Sequence, residues 1–291
     1  MKELLLRALA LFHRQTPYIW DGTCATGIHM IVARGSTEAP GLGRIGVVAQ
    51  NVSMLIPNSS VAAVDYPATF ENYFTSYATG ASEFERLVLE HVQACPDTRI
   101  ALLGYSQGAH AMMDSVCGDG DGEFVLSLGF RQALASQVVA VVGFGDPSFN
   151  ATAPWSVGTS TGAGLFARKN ITACEPYAAR IQSWCDEGDV YCDLGNDRAV
   201  HGSYFSNYTQ EAAQFVKEKF DNSDPVIDLP TTTAPPTETT APTETVSTSI
   251  LTPTSTPTET TIPQSAAGSF GPSWMMVASI VGSMMVWMEL L

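Results

Sequence analysis

Three residues far apart in this chain have the types and settings that acyl transfer needs: a serine in a glycine-bounded turn, an aspartate between two cysteines, and a histidine in a late loop. The serine is Ser106, within Arg99–Met113, which reads Arg-Ile-Ala-Leu-Leu-Gly-Tyr-Ser-Gln-Gly-Ala-His-Ala-Met-Met. The apolar run Ile100–Leu103 stops at Gly104, a polar turn follows, and small and apolar residues resume at helical spacing. Strand, sharp turn and helix with G-x-S-x-G at the corner describe a nucleophile elbow, which leaves the serine hydroxyl exposed above a sheet. Its glycines are needed where a side chain would strike the neighbouring strand or helix. The chain supplies its own control. Gly158-Thr-Ser-Thr-Gly162 matches the same pattern, but a proline sits where the buried strand should run, and no amphipathic segment follows. That second match reads as a loop, so the flanking elements and not the pattern single out Ser106.

A serine hydroxyl of ordinary pKa is a weak nucleophile and needs a base within hydrogen-bond reach, itself oriented by an acid. Of the five histidines, His110 stays one turn along the elbow helix and cannot easily fold back over the serine. His29, between Ile28 and Met30, reads as a satisfied core residue. His91 shares the apolar face of its helix, and His13 falls near the start of the chain. His201, in a Gly/Asn/Asp-rich loop after the last strand, is the expected base. Two aspartates compete for the acid. Asp189 lies between Cys185 and Cys192, close enough in sequence to close a ring that would fix a carboxylate's direction. Asp146 ends a buried strand and otherwise reads as a turn former before Pro147. The order Ser106, Asp189, His201 is the α/β-hydrolase order and favours Asp189. An oxyanion needs preorganised donors. The backbone N–H of Gln107 is one, and Ser36, in the loop Arg34–Thr37 after the first strand, offers the other unless that loop only turns the chain.

The elements that must position these groups alternate. Strand patterns at Gly27–Ala33, Val61–Val64, Ile100–Leu103, Val138–Phe144 and Arg180–Trp184 interleave with helical spacing over Gly43–Ile56, Ala81–Cys95, the elbow helix to about Cys117, and Asn207–Phe220. Residues 148–178 read as a long loop. Strands that are apolar throughout and alternate with helices imply a parallel sheet covered on both faces. The expected fold class is α/β, a three-layer sandwich with a central parallel sheet and no lid domain.

The 291 residues divide into a leader or poor signal segment (1–23), a globular domain (24–222), a Thr/Pro/Ser-rich stalk (223–265) and a hydrophobic tail (266–291). The net charge of −15, with no basic stripe, excludes nucleic acid and suits a neutral or cationic partner. All six cysteines, Cys24, Cys95, Cys117, Cys174, Cys185 and Cys192, fall in the globular part. Their number points outside the reducing cytosol, while the sequence alone leaves the pairing open. With no C-x-x-C and no histidine cluster, neither a metal nor a cofactor is expected. N-glycosylation sequons begin at Asn51, Asn58, Asn150, Asn170 and Asn207. Leu4–Phe12 resembles a signal-peptide core, interrupted by Arg7 and without a clear cleavage site. Proline and the lack of apolar residues make 229–263 an extended, O-glycosylated stalk. Ser265-Ala-Ala-Gly268, a short spacer and the apolar run Trp274–Met288 follow the order of a GPI-attachment signal, with Ser265 as the attachment site. A retained membrane helix is the alternative, disfavoured by the shortness of the run and the absence of a following Lys/Arg cluster. The expectation is a secreted or cell-surface monomer, bound to a membrane only through that anchor.

Taken in order, Ala33-Arg-Gly-Ser-Thr-Glu38, Gly104-Tyr-Ser-Gln-Gly108, Gly145-Asp-Pro147, Cys185 to Cys192 with Gly188-Asp189, and His201 resemble the fungal cutinase and acetylxylan esterase family, from about Cys24 to Phe220. The resemblance implies a lidless α/β-hydrolase that cleaves esters through an acyl-enzyme, with Ser106, Asp189 and His201 as the triad and Ser36 and Gln107 as the oxyanion hole. It further implies disulfides Cys24–Cys95 and Cys185–Cys192, leaving Cys117–Cys174, a third pair more like the acetylxylan esterase branch. Cutinase-like sites carry aliphatic residues between acid and histidine. Here that segment, Tyr191–Val200, is mostly polar, which favours short acyl groups on a carbohydrate polymer over cutin. The competing reading from another class is a non-catalytic surface protein that uses an esterase-like domain for adhesion or wall organisation. None of the triad positions is degenerate, which argues against it.

Overall fold

The computed structural model describes residues 20–118 and 127–223. In chain order its elements are β1 (Ile28–Ala33), α1 (Gly46–Leu55), β2 (Ser60–Ala63), α2 (Tyr73–Ala94), β3 (Arg99–Tyr105), α3 (Gln107–Cys117), α4 (Leu128–Ser136), β4 (Val138–Phe144), β5 (Ser156–Val157), β6 (Ile181–Trp184), α5 (Arg198–Asn207) and α6 (Thr209–Asp221). The strands form one sheet in the order β2-β1-β3-β4-β6-β5, and every pairing is parallel.

The apolar runs follow from this arrangement. Both faces of the sheet are covered, so successive residues of a strand enter different cores. Met30, Val32, Ala101 and Leu103 pack with Val48 and Val52 of α1 and with Ala212 and Val216 of α6. Ile31, Ile100 and Leu102 pack on the other face with Phe84 and Val88 of α2, Met112 and Val116 of α3, and Phe130 and Leu134 of α4. The strand bearing the elbow, β3, is buried along its whole length between β1 and β4. Ser106 therefore leaves the sheet near its middle, at the carboxyl end of the strands, where open parallel sheets place their sites.

The structure departs from the sequence expectations in four places. Helix α2 begins at Tyr73, two turns before Ala81, because its first turns bury Tyr73, Ser76 and Gly80 and so lack the aliphatic periodicity that marks a core face. Helix α4 is additional; it is short, and its start rests on Ser127 Oγ accepting the N–H of Phe130. The region 148–178 is not all loop, since Ser156–Val157 adds an edge strand to β6, and a 3-10 turn over Glu175–Arg180 leads into β6. His201 lies within α5, whose N-cap is the carboxylate of Asp197 on Ala199 N–H. Gly202, Ser203, Ser206 and Asn207 in that helix are weak helix formers, which hid it. The disulfides are Cys24–Cys95, Cys117–Cys174 and Cys185–Cys192, as the family resemblance implied. Residues 1–19, the stalk from residue 224 onward, Ser265 and the hydrophobic tail lie outside the described residues.

At the far end of α2, His91 and His29 stack at 3.8 Å with their planes 3° apart, and Trp20 packs on His91 at 4.6 Å. His29 Nδ1 shares a hydrogen bond with Ser60 Oγ. Both ring nitrogens of the buried His91 lack a partner. Burial pushes His29 down to about 3, with His91 beside it adding to the shift, and burial pushes His91 down to about 4. The folded state thus holds both rings neutral, while the unfolded chain takes up protons below about 6.5. The stability linked to them is complete above that pH and is lost as the pH falls toward 4. His91→Phe keeps the stacked ring and removes the unpartnered nitrogens. It should stabilise the protein by about 1–3 kcal/mol near pH 5 and flatten the fall of Tm between about pH 6.5 and 4. An unchanged slope in a series of thermal melts would count against this account.

Candidate active site

Ser106 occupies φ 53°, ψ −122°, a region that non-glycine residues avoid. The conformation is imposed from both sides: Ser106 N–H donates to Phe144 O of β4, and Ser106 O accepts the N–H groups of Ala109 and His110 as α3 begins. Gly108 explains the second glycine of the motif. A Cβ there would lie 2.4 Å from Ala33 O and 2.5 Å from Arg34 O, so the start of α3 rests directly on the chain leaving β1.

The elbow, the ring between Cys185 and Cys192, and α5 bring the expected residues together. His201 Nε2 lies 2.9 Å from Ser106 Oγ, and its Nδ1 lies 2.8 Å from Asp189 Oδ2. An ionised carboxylate only accepts, so Nδ1 carries the proton and Nε2 is left to accept from the serine hydroxyl. Asp189 has no exposed surface. Its Oδ1 accepts from the N–H groups of Tyr191 and Cys192 within the ring, and its Oδ2 accepts also from Tyr204 Oη at 2.6 Å. Burial by itself would raise this carboxyl, but the bonds from His201, Tyr204 and Tyr191 outweigh it and hold the group below the usual carboxylate range. Ser106 and His201 are each only 7% exposed.

Sequence reasoning missed three groups around this line. Tyr204, three residues after His201 on α5, turns to the same carboxylate, and its hydroxyl also accepts Asp186 N–H. The i, i+3 spacing from the histidine was the available signal, but it has meaning only once α5 is known to be a helix. Tyr105, beside the serine, stacks on the His201 ring at 5.1 Å and donates to His201 O. Gly145, at φ +60°, leaves room for the imidazole, since a Cβ there would come within 2.7 Å of His201 Cε1.

The loop after β1 is fastened on both sides of Ser36. Gly35 N–H donates to Glu38 Oε2, Thr37 N–H donates to Ala68 O, and the Arg34 guanidinium donates to Tyr66 O and Glu38 O. Ser36 Oγ is buried without a hydrogen-bond partner. The Gln107 side chain is fully engaged, donating to Thr69 O and accepting from Ser76 Oγ, and leaves only its backbone N–H, which has no intrahelical partner at the first position of α3. A free hydroxyl and a free amide at a helix N-terminus suit developing negative charge.

The remaining candidates go elsewhere. Asp146 bonds Ser148 N–H and Oγ and not His201. Its burial raises its carboxyl above the usual range. His110 is buried, hydrogen-bonded to Tyr73 Oη at 3.0 Å and stacked on Tyr77. Ser160, in the second G-x-S-x-G, lies in a loop and bonds the carboxylate of Asp193, whose other oxygen takes Gly188 N–H. It therefore braces the acid's loop. Among the sequons, Asn58, Asn170 and Asn207 are exposed, whereas Asn51 and Asn150 are half-buried and donate to Val47 O and Arg168 O.

A sequence profile described as Cutinase matches residues 24–220. Cutinase 11 of Verticillium dahliae is 35% identical over 230 residues, 76% of this chain and 75% of that protein. Acetylxylan esterase 2 of Talaromyces purpureogenus is 35% identical over 202 residues, 66% of this chain and 86% of that one. A solved acetylxylan esterase superposes with a TM-score of 0.62 at 33% identity, covering 68% of this chain and all of that chain.

If Tyr204 steadies the carboxylate as the geometry indicates, Tyr204→Phe should lower kcat on a small ester about tenfold, the loss of about 1.4 kcal/mol expected for a hydrogen bond to a charged group. With less of its charge satisfied, Asp189 would hold the imidazolium more tightly and move the acid limb of the pH–kcat profile to higher pH. A profile unchanged in position would assign Tyr204 to packing alone.

Proposed function

The chain belongs to the cutinase family of carboxylic ester hydrolases, and from that premise we propose that it is a secreted serine esterase that removes short acyl groups from a plant cell-wall polysaccharide, as an acetylxylan esterase does, with cutin as the second reading. In this scheme Ser106 Oγ attacks the ester carbonyl as His201 Nε2 takes its proton. The tetrahedral oxyanion is held by Gln107 N–H and by Ser36, and collapse breaks the bond to the sugar oxygen, which takes the proton from His201 and leaves as a hydroxyl. Water, activated by the same imidazole, then attacks the acyl-enzyme and releases the acid. Asp189 keeps the imidazole in the right tautomer throughout.

Relatives named for both substrates are about equally similar, so the rim of the site carries the choice. The observation that weighs most is Tyr191. Its ring stands edge-on to His201 at 4.5 Å, and its backbone N–H is tied to Asp189, so a bulky side chain is fixed directly against the imidazole and narrows the site beside it. Along the rest of the segment before His201, Asn196, Asp197, Arg198 and Ala199 are exposed, and Leu194 is the one large exposed hydrophobic. A wax-like polyester would need a broader apolar surface than that. Three disulfides suit an oxidising destination. A domain over 24–222, the glycosylated stalk over 223–265, glycans at the exposed sequons and a GPI anchor at Ser265 complete the proposal, and release by phosphatidylinositol-specific phospholipase C tests the anchor.

The decisive experiment is turnover of p-nitrophenyl acetate and of acetylated xylan by the oxidised protein. Ser106→Ala should lower kcat by at least about 10⁴-fold, and absence of turnover in the wild type would leave the non-catalytic reading. Activity should fall from acetate to octanoate esters, and Tyr191→Ala should flatten that decline. Faster wild-type turnover of the long esters, or release of cutin monomers ahead of acetate, would move the assignment to cutin.

A further inference from the structure

Beyond the catalytic line, the site continues into a run of aromatic rings that neither the fold nor the chemistry requires. Tyr191 stacks on Phe70 with centroids 6.5 Å apart and planes 24° from parallel. Tyr191 O also accepts the N–H of Leu165, the residue before Phe166. The Phe166 ring packs on Tyr73 at 5.2 Å and on Phe74 at 5.4 Å, and Phe74 meets Tyr77 at 5.9 Å. Beneath these rings the Tyr73–His110 hydrogen bond and the His110–Tyr77 stack make a buried floor. Phe70, Tyr77 and Phe166 are half-buried, and Phe74 is 45% exposed on the first turn of α2. An ordinary surface helix would carry a polar side chain at that position.

We propose that Phe74, together with Phe70 and Phe166, forms a stacking platform for the sugar rings that neighbour the ester-bearing residue in a neutral polysaccharide chain. The proposal rests on the polysaccharide-esterase reading and adds the surface that holds the polymer. Three observations select this occupant. Phe70 reaches the imidazole through Tyr191, and the Phe166–Phe74 pair is tied to Tyr191 through the backbone bond from Leu165. The surface beside them is polar: Glu71, Asn72 and Thr75 are exposed around Phe74, so a ligand here meets aromatic faces and hydrogen-bonding groups together. A pyranose presents that mixture, with C–H faces and hydroxyl edges. An aliphatic polyester does not: among the described residues the other large exposed hydrophobics are Met54 on α1, Leu128 on α4 and Leu194 before α5, the first two on other helices and the third a single aliphatic side chain in a polar segment. Finally, the net charge of −15 disfavours a polyanionic polymer.

The test compares the full chain with Phe74→Ala, with Leu128→Ser as an exposed apolar control on α4. Phe74→Ala should lower kcat/KM on acetylated xylan about fivefold more than on p-nitrophenyl acetate, the effect of losing one aromatic stack. Leu128→Ser should leave that ratio at the wild-type value. In the Ser106→Ala background, wild-type rings should retard the protein in a native gel containing xylan, and Phe74→Ala should reduce the retardation. Equal losses on both substrates would make Phe74 a packing residue and overturn the platform. So would unchanged retardation, or a loss of binding to cutin particles in place of xylan. If the enzyme turns over p-nitrophenyl acetate but frees no acetate from xylan, the substrate reading fails. The gel then decides the platform separately, since ring-dependent retardation upholds it and none overturns it.

Discussion

A carboxylate with no exposed surface is costly unless its charge is met on all sides, and the architecture around Asp189 answers that demand. Two ring amides take one oxygen; His201 and Tyr204 take the other. Helix α5 supplies both of the latter, so the element that delivers the base also neutralises the acid that orients it. The same carboxylate fixes the tautomer of the imidazole and hence the direction of the bond to Ser106. A second tier holds the first in place. Asp193 receives Ser160 Oγ and Gly188 N–H, and Asp186 receives Thr159 and Tyr208 while its own N–H reaches Tyr204. The acid is thus the meeting point of β6, the cysteine ring and α5, whereas the serine is held between the central strands and the start of α3.

That division decides what was readable in the sequence. The elbow is local: strand, turn and helix are contiguous, the glycines report the close approach to Ala33, and the apolar strands report a sheet covered twice. Ser106, the central strands and the helices rich in aliphatic residues were therefore legible. The acid and base were legible through the cysteine pair and by eliminating other histidines. Their support was not. Tyr204 and Gly145 act on residues distant in sequence, and no periodicity marks a hydroxyl aimed at a buried carboxylate. Helix α5 escaped because its composition is that of a loop and its tertiary contacts override propensity. The beginning of α2 escaped for the opposite reason: its buried face is aromatic and polar, made of Tyr73 and Ser76, and serves the site more than the core. Asp146 looked like an equal candidate from its place at a strand end, and its own Ser148 absorbs it.

The two ends of the site are built on different terms. On the oxyanion side the loop after β1 is pinned by Arg34 and Glu38 so firmly that Ser36 Oγ can stay buried and unbonded, an arrangement that a flexible loop would relax. On the other side Tyr191 is held by its backbone, with its half-buried ring between His201 and Phe70. One side of the site is thus held by hydrogen bonds of a loop, the other by ring contacts around the imidazole.

The bond between Cys185 and Cys192 also bears on how the site is held. The loop carrying Asp189 is closed by that bond, and both amides that face Oδ1 belong to it. Without that bond the elbow would keep its strand, turn and helix, but the acid would lose the ring that aims it. The direction of the Asp189 carboxylate therefore depends on that oxidation, and the position of Ser106 on the sheet does not.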